Sequence, residues 1–388
     1  MAELVHQLPR HISADDVEKI NNLVAEQAAD ELTLDISAFK RSRLFAEGRF
    51  LGLLALARDR GIRTIVRIGS ELPPYDSTSP GKYWKIFLES ISGLIFAEFA
   101  AGILDPSARN CISVVREKQA AMLKETQGFI GSGKEIAAPI IDRFGRPPAS
   151  EVVIEDDIRL FTASFRKLLF ERLGLPILNE AEINNICAYA FETLQNTRDH
   201  GCTDLQGSPI NGIRLISVRR LNLPQEPFAE LIGSEQTPVT SYLKALEGDL
   251  GRSFLGSERL VEVTIGDSGV GIPARMAKTK EVYRASLEEE RKYLLEALKP
   301  TGTSKAQSVA GAGLGLYKVM QATHHLKGLI VFRAGRLFMY RHYLAENRQW
   351  PSLELYEWNE KPYRLVAGTC VSLIFPWIEA GQLSLYSG

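Results

Sequence analysis

The chain is poor in cysteine, has no excess charge of one sign and contains no long uninterrupted apolar run. Four of its 388 residues are cysteine. Cys111, Cys187, Cys202 and Cys370 show neither a C-x-x-C pair nor metal-ligand spacing. That excludes a disulfide-framed secreted scaffold and a zinc ribbon, and reads as reduced thiols of a cytoplasmic protein. Lys plus Arg total 46 and Asp plus Glu 47, a net charge of -1 with a pI near 6.6. No global field then holds the chain on nucleic acid or an acidic membrane, and any polyanion binding is local. The opening MAELVHQLPRH has no apolar core of the kind a signal peptide needs. The most apolar stretch, residues 86–104, carries Glu89 and Glu98, and an amphipathic buried helix suits it better than a membrane span. No repeat or low-complexity tract occurs.

What is present is an ordinary globular composition, 45% hydrophobic and 24% charged, in a chain long enough for two or three domains. Ser13-Ala-Asp-Asp16 predicts a capping box opening a helix to about Asp30. LTLDIS, a leucine-rich helix over 50–61 and TIVRIG then give strand, helix, strand, a small α/β unit with a parallel pair. Proline and glycine crowd 139–155, with FGRPPAS at the centre, so the main boundary is expected there. The expected organisation is a helical segment over 1–30, an α/β domain over 31–138, a linker over 139–155 and a second domain over 156–388. Helices are predicted near 158–173 and 180–200, and strands on GIRLISVRRL, LVEVTIG, GLIVFRAG, RLFMYRHY and TCVSLIFP.

Four pieces of the second half carry chemistry. In INNICAYAFETLQNTRDHG, Ile183, Ile186, Cys187, Ala190 and Leu194 form an apolar stripe. Glu192, Asn196 and either Asp199 or His200 recur at three or four residues on the opposite face. A carboxylate stacked on a carboxamide presents one group to a water and the other to a metal; the bland alternative is a solvated helix face. In VEVTIGDSGVGIP a strand delivers Asp267 into a turn with Gly269 and Gly271, where backbone approaches a ligand closely. That carboxylate is able to accept a hydrogen bond from an exocyclic amine. GAGLGLYKVM places Gly311, Gly313 and Gly315 before a helix, whose free N–H groups and dipole suit phosphate. Gly368-Thr369 opens a last apolar strand.

In this order the four pieces resemble the N box and glycine boxes of the GHKL superfamily, the gyrase, heat-shock chaperone, histidine kinase and mismatch-repair ATPases. The resemblance covers about residues 156–378 and implies a Bergerat-type sandwich of a mixed sheet and helices, an α/β protein of the α+β kind. It implies ATP and Mg2+ as cofactors. Glu192 then resembles the glutamate that activates the attacking water and Asn196 the Mg2+-coordinating asparagine, with Asp199 on the same face. Asp267 resembles the adenine-reading aspartate, with Thr369 close to the same base. Gly269, Gly271, Ile272, Gly311, Gly313, Leu314, Gly315 and Leu316 match the positions lining the nucleotide. Residues 272–310 correspond to the ATP lid, whose GTSK makes Lys305 a candidate phosphate contact.

Other signals are weaker. Gly128 to Lys134 fits P-loop spacing, but Glu135 stands where a hydroxyl should ligate Mg2+ and would repel phosphate. His324 and His325 are adjacent on a helix and point apart. Residues 32–69 weakly resemble a STAS-like domain, without a phosphoacceptor serine in Leu44-Phe-Ala-Glu-Gly48. No phosphotransfer histidine stands in helical, acidic context, and little chain follows Pro376 to form a transducer domain. The leading expectation is an ATPase switch controlling a protein partner. A kinase acting in trans and a non-hydrolysing nucleotide sensor are the alternatives. The proline-bearing insert 222–257 is an expected partner surface, and homodimerisation, common in similar proteins, is not readable here.

Overall fold

Two strand patterns build two sheets. The computed structural model describes residues 2–9, 11–27, 29–36, 41–42, 46–68, 91–105, 107–125, 135–142, 157–173, 180–210, 212–222, 238–250, 259–300, 314–344, 351–358 and 362–377. Short, β-branched strands with apolar centres form the first sheet: β1 (Glu3–Gln7), β3 (Glu31–Asp35), β5 (Arg63–Arg67) and β6 (Gly102–Leu104). They lie in the order β1-β3-β5-β6, every pair parallel. The two-residue strands β2 (His11–Ile12) and β4 (Arg41–Ser42) pair alongside. Parallel strands need crossovers, here α1 (Ala14–Glu26), α2 (Ala46–Asp59) and α3 (Ile91–Phe99), with α4 (Ile112–Glu125) following. α1 starts as predicted: the Ser13 side chain accepts from the Asp16 N–H, and Asp16 accepts from the Ser13 N–H.

The second sheet has seven strands in the order β12-β11-β10-β13-β9-β8-β7. Its strands are β7 (Glu135–Asp142), β8 (Gly212–Asn222), β9 (Arg259–Asp267), β10 (Leu329–Gly335), β11 (Leu337–His342), β12 (Tyr356–Glu357) and β13 (Val366–Pro376). All its pairs are antiparallel, where a mixed sheet was expected. The chain as a whole is thus α+β. Alternation decides which element covers which face. Val261, Val263 and Ile265 of β9 and Val371, Leu373 and Phe375 of β13 turn to one side. There they meet α5 (Ile158–Lys167, continued by a π-helical turn), α6 (Glu180–Gly201) and α10 (Gly315–His325).

The alternate residues face α2 and α1. A Cβ on Gly48 would collide with Cys370 Sγ, and one on Gly52 would lie 3.0 Å from Val366 Cβ, so α2 lies with its backbone almost on β13. Ile213 and Leu215 of β8 join the core of the first sheet. Polar pairs tie the same face: Arg333 of β10 grips Glu18 of α1 through Nε (2.8 Å) and Nη2 (3.1 Å). Fully buried Arg49 of α2 lies 3.9 Å over the Phe338 ring and 3.7 Å from Glu18. Burial pushes the Glu18 carboxyl up, but Arg333 and Arg49 outweigh it and hold it below its ordinary value. The half-chains therefore share one buried interface.

Two boundaries differ from expectation. The 1–30 segment is not purely helical, because Glu3–Gln7 is an edge strand; five residues carry too weak a pattern without the β3 partner. The expected linker begins inside β7, whose residues 135–142 pair with β8; Pro139 is tolerated because β7 is an edge strand. Of the lid stretch 272–310, residues 272–300 are described and contain α8 (Ile272–Ala277) and α9 (Leu287–Ala297). Glu290 of α9 is wholly buried and accepts from Arg336 N and Nε, both at 2.7 Å, while Leu294 and Leu298 enter the core. In the insert, α7 (Pro238–Leu250) packs Tyr242 and Leu246 against Leu329 and Ile374 rather than standing free. The P-loop-like 128–134 lies outside the described residues.

Candidate functional site

The site is strung along α6. Its Ile183, Ile186, Cys187, Ala190 and Leu194 stripe is buried as the periodicity predicts. The opposite face is closed in part: Glu192 is buried, with the start of α10 close against it, while Asn196, Asp199 and His200 are partly exposed. A Cβ on Gly315 would stand 3.1 Å from Asn196 Nδ2, 3.2 Å from its Oδ1 and 3.4 Å from Glu192 Oε2. Glycine is what allows the helix start to come this close. Among the described residues no side chain caps α10, so its first N–H groups lie close to this cluster without a side-chain partner there. Asn196 Nδ2 is buried with no hydrogen-bond partner among the described residues.

Sequence reasoning missed one member of this cluster. Lys318, one turn into α10, donates from Nζ to Glu192 Oε1 at 2.5 Å. Its lysine side chain is half exposed while the glutamate is nearly closed off. Helical side chains lean toward the N-terminus, and this brings residue 318 back over Gly315. The lysine in GLGLYKVM was the available signal, but its partner lies 126 residues away.

The other end of α6 abuts Asp267. A Cβ on Gly201 would be 2.5 Å from Asp267 Cβ, so the helix end and the β9 end touch directly. Asp267 Oδ1 accepts from the Gly269 N–H at 2.8 Å. Burial pushes its carboxyl up to about 6, against the N–H groups of Gly269 and Thr369 and the charges of Arg214 and Arg275, which pull it down. The turn is held from β13: Gly368 (φ 72°) donates its N–H to Gly269 O at 2.7 Å. Thr369 Oγ1 accepts from the Ile272 N–H at 3.0 Å. Gly271 also has a positive φ, and Tyr283 O–H donates to Val270 O at 2.7 Å beside it. Arg275 closes the α6 C-terminus by donating to the carbonyls of His200, Thr203 and Asp204, another role not visible in the sequence.

At 1.5 Å per residue, Asn196 lies about 7.5 Å and Glu192 about 13.5 Å along α6 from Gly201. A buried carboxylate thus stands at one end of a line, with an amide, a second carboxylate and a helix N-terminus at the other. Asp199 lies half-buried between them, ion-paired at 3.5 Å to Arg198. Leu314 is exposed and Leu316 packs on the core. Lys305, Gly311 and Gly313 fall outside the described residues. Among those described, no group of three or more His, Cys, Asp or Glu is placed to hold a metal. Magnesium does not need one, since it keeps waters and binds through one or two protein oxygens plus substrate phosphates. Asn196 Oδ1 is the one such oxygen its amide offers, while the unengaged Nδ2 is a donor and suits a phosphate oxygen rather than a cation.

Among the described residues no helix is long and apolar enough to cross a membrane. Compared with protein-family models, curated proteins and solved structures, the chain gives no match in any of the three, so the geometry above carries the functional argument.

Proposed function

We propose that the chain binds Mg-ATP along α6 and hydrolyses it, as the GHKL resemblance implies, and uses the cycle to control a protein partner. One observation carries this reading: Glu192 and Asn196 of α6 meet Gly315, distant in sequence, at the start of α10, while Asp267 is buried against the C-terminal end of α6. The first cluster suits anionic phosphates and the second an exocyclic amine.

In this reading Asp267 accepts the adenine amine, and the Gly269 and Thr369 N–H groups keep its carboxylate oriented. The α10 N-terminus takes phosphate oxygens. Asn196 would hold the magnesium, which when bound neutralises phosphate charge. Glu192 takes the proton from the attacking water as its oxygen bonds to the γ-phosphorus and the bond to the β-phosphate oxygen breaks. A positioned base of this kind contributes about 10²- to 10⁴-fold in rate.

The test is Mg-ATP turnover by the purified chain, with calorimetry of nucleotide binding. Glu192→Ala should lose turnover by about 10²- to 10⁴-fold and keep affinity; Asp267→Asn should lose affinity. Unchanged turnover in the first variant removes Glu192 from the mechanism. Mass spectrometry after turnover with a candidate partner separates hydrolysis from kinase transfer.

A further inference from the structure

The Glu192 oxygen held by the Lys318 ammonium is not available to take a proton from water. One oxygen, Oε1, is held by Lys318 Nζ at 2.5 Å, while Oε2 faces the Gly315 backbone. The pair is asymmetric: the glutamate is buried and fixed by its helix, whereas the lysine is half exposed on a flexible stem. Lys318 is therefore the member free to move, and it stands one turn from the start of α10, which no described side chain caps. A terminal phosphate arriving there brings more negative charge than one carboxylate and more acceptor oxygens.

We propose that Lys318 is a γ-phosphate-sensing residue that locks Glu192 until ATP is bound. Without a γ-phosphate its ammonium pairs with Glu192 and keeps the base from water. With ATP it turns to the terminal phosphate, frees Oε1 to accept the water proton, and neutralises charge on the transferring group. ADP has no γ-phosphate and leaves the lock closed, so the lysine separates the two nucleotides by affinity as well as by rate. This rests on the ATPase reading and adds to it a residue outside the resemblance.

The experiment measures affinity for ADP and for a non-hydrolysable ATP analogue, each with Mg2+, on the full-length wild type, Lys318→Met and Lys318→Arg. In Lys318→Met the analogue should bind about tenfold more weakly, the worth of one charge-assisted contact, while ADP binding stays within about twofold. Lys318→Arg should restore most of the preference. A merely structural lysine would shift both nucleotides together, and thermal unfolding of each variant shows whether it is folded. An unchanged analogue-to-ADP ratio in folded Lys318→Met overturns the sensor. Wild-type protein that binds neither nucleotide overturns the ATPase reading itself.

Discussion

On the α6 side of the β9–β13 pair the inward residues are Val261, Val263, Ile265, Val371, Leu373 and Phe375. On the α2 side the same two strands present Glu262, Thr264, Cys370 and Ser372, all buried. Both faces are closed to water, by different physics. The first is closed by apolar area, about 1.5–3 kcal/mol per large side chain, and carries the candidate site at its rim. The second is closed by backbone proximity at Gly48 and by the Glu18, Arg333 and Arg49 cluster, in which none of the three Arg49 side-chain nitrogens has a hydrogen bond among the described residues. Such a cluster is a costly arrangement that loses much if one member is removed. The apolar face thus supplies stability, and the polar face fixes how the N-terminal unit sits on the strand that carries Thr369.

The comparison is broken most severely at Glu18. Glu18→Ala removes the carboxylate shared by two buried guanidiniums, leaving Arg49, among the described residues, only Asp15 at 3.8 Å, and should cost about 3–5 kcal/mol, read by urea unfolding. A loss under about 1 kcal/mol would make the cluster no stronger than a surface pair. Next comes Gly368→Ala, where the new Cβ meets the Asp267 carbonyl and φ is 72°. Strain and crowding together should cost about 2–4 kcal/mol and weaken adenosine binding, the readout that ties β13 to the site.

A smaller effect is expected at the interface glycine. Gly48→Ala gains up to about 1 kcal/mol of helix propensity but drives a Cβ into Cys370, a crowding cost of about 1–3 kcal/mol. Net destabilisation should be modest and partly relieved by Cys370→Ala in the same chain. Equal effects in both backgrounds would mean that α2 is not seated on β13 in solution.

The mildest probe is pH. The Asp267 carboxyl lies at about 6, above the ordinary ~3.9 of an aspartate. Only its deprotonated form is a full acceptor, so adenosine affinity should fall as pH drops below about 6, by at most tenfold per unit. Adenosine is chosen because it carries no titrating phosphate. The stability contribution has the opposite sense: the folded state holds this proton where the unfolded chain has released it, so stability declines as pH rises between about 4 and 6. An affinity flat from pH 5 to 7, unlike the expectation and like Asp267→Asn, would remove Asp267 from ligand recognition.

Local chemistry made part of the molecule legible. The Ser13–Asp16 capping box, the α6 stripe and the alternation along β8, β9 and β13 follow from nearest-neighbour rules, and the structure keeps them. So does the turn after Asp267, since few residues but glycine suit φ near +80° at residue 271. Alternation alone, however, predicts that the polar side of an antiparallel sheet is wet. Thr264, Ser372 and Arg333 are dry because α1 and α2 close over them. β7 escaped notice for a related reason: a strand containing Pro139 reads as a linker until its edge position is known.

The chain order by itself determined which groups exist and on which local element each rides: Glu192 and Asn196 one turn apart on a helix, Asp267 at a strand end, Gly315 at a helix start. Only the tertiary structure decided that these meet, that Lys318 closes on Glu192 and that Arg275 caps α6. The physical reason is range. Helical periodicity and turn chemistry act over a few residues, whereas the Lys318–Glu192 and Arg333–Glu18 pairs span 126 and 315 positions. Only packed helices and a paired sheet hold groups so distant at bonding distance.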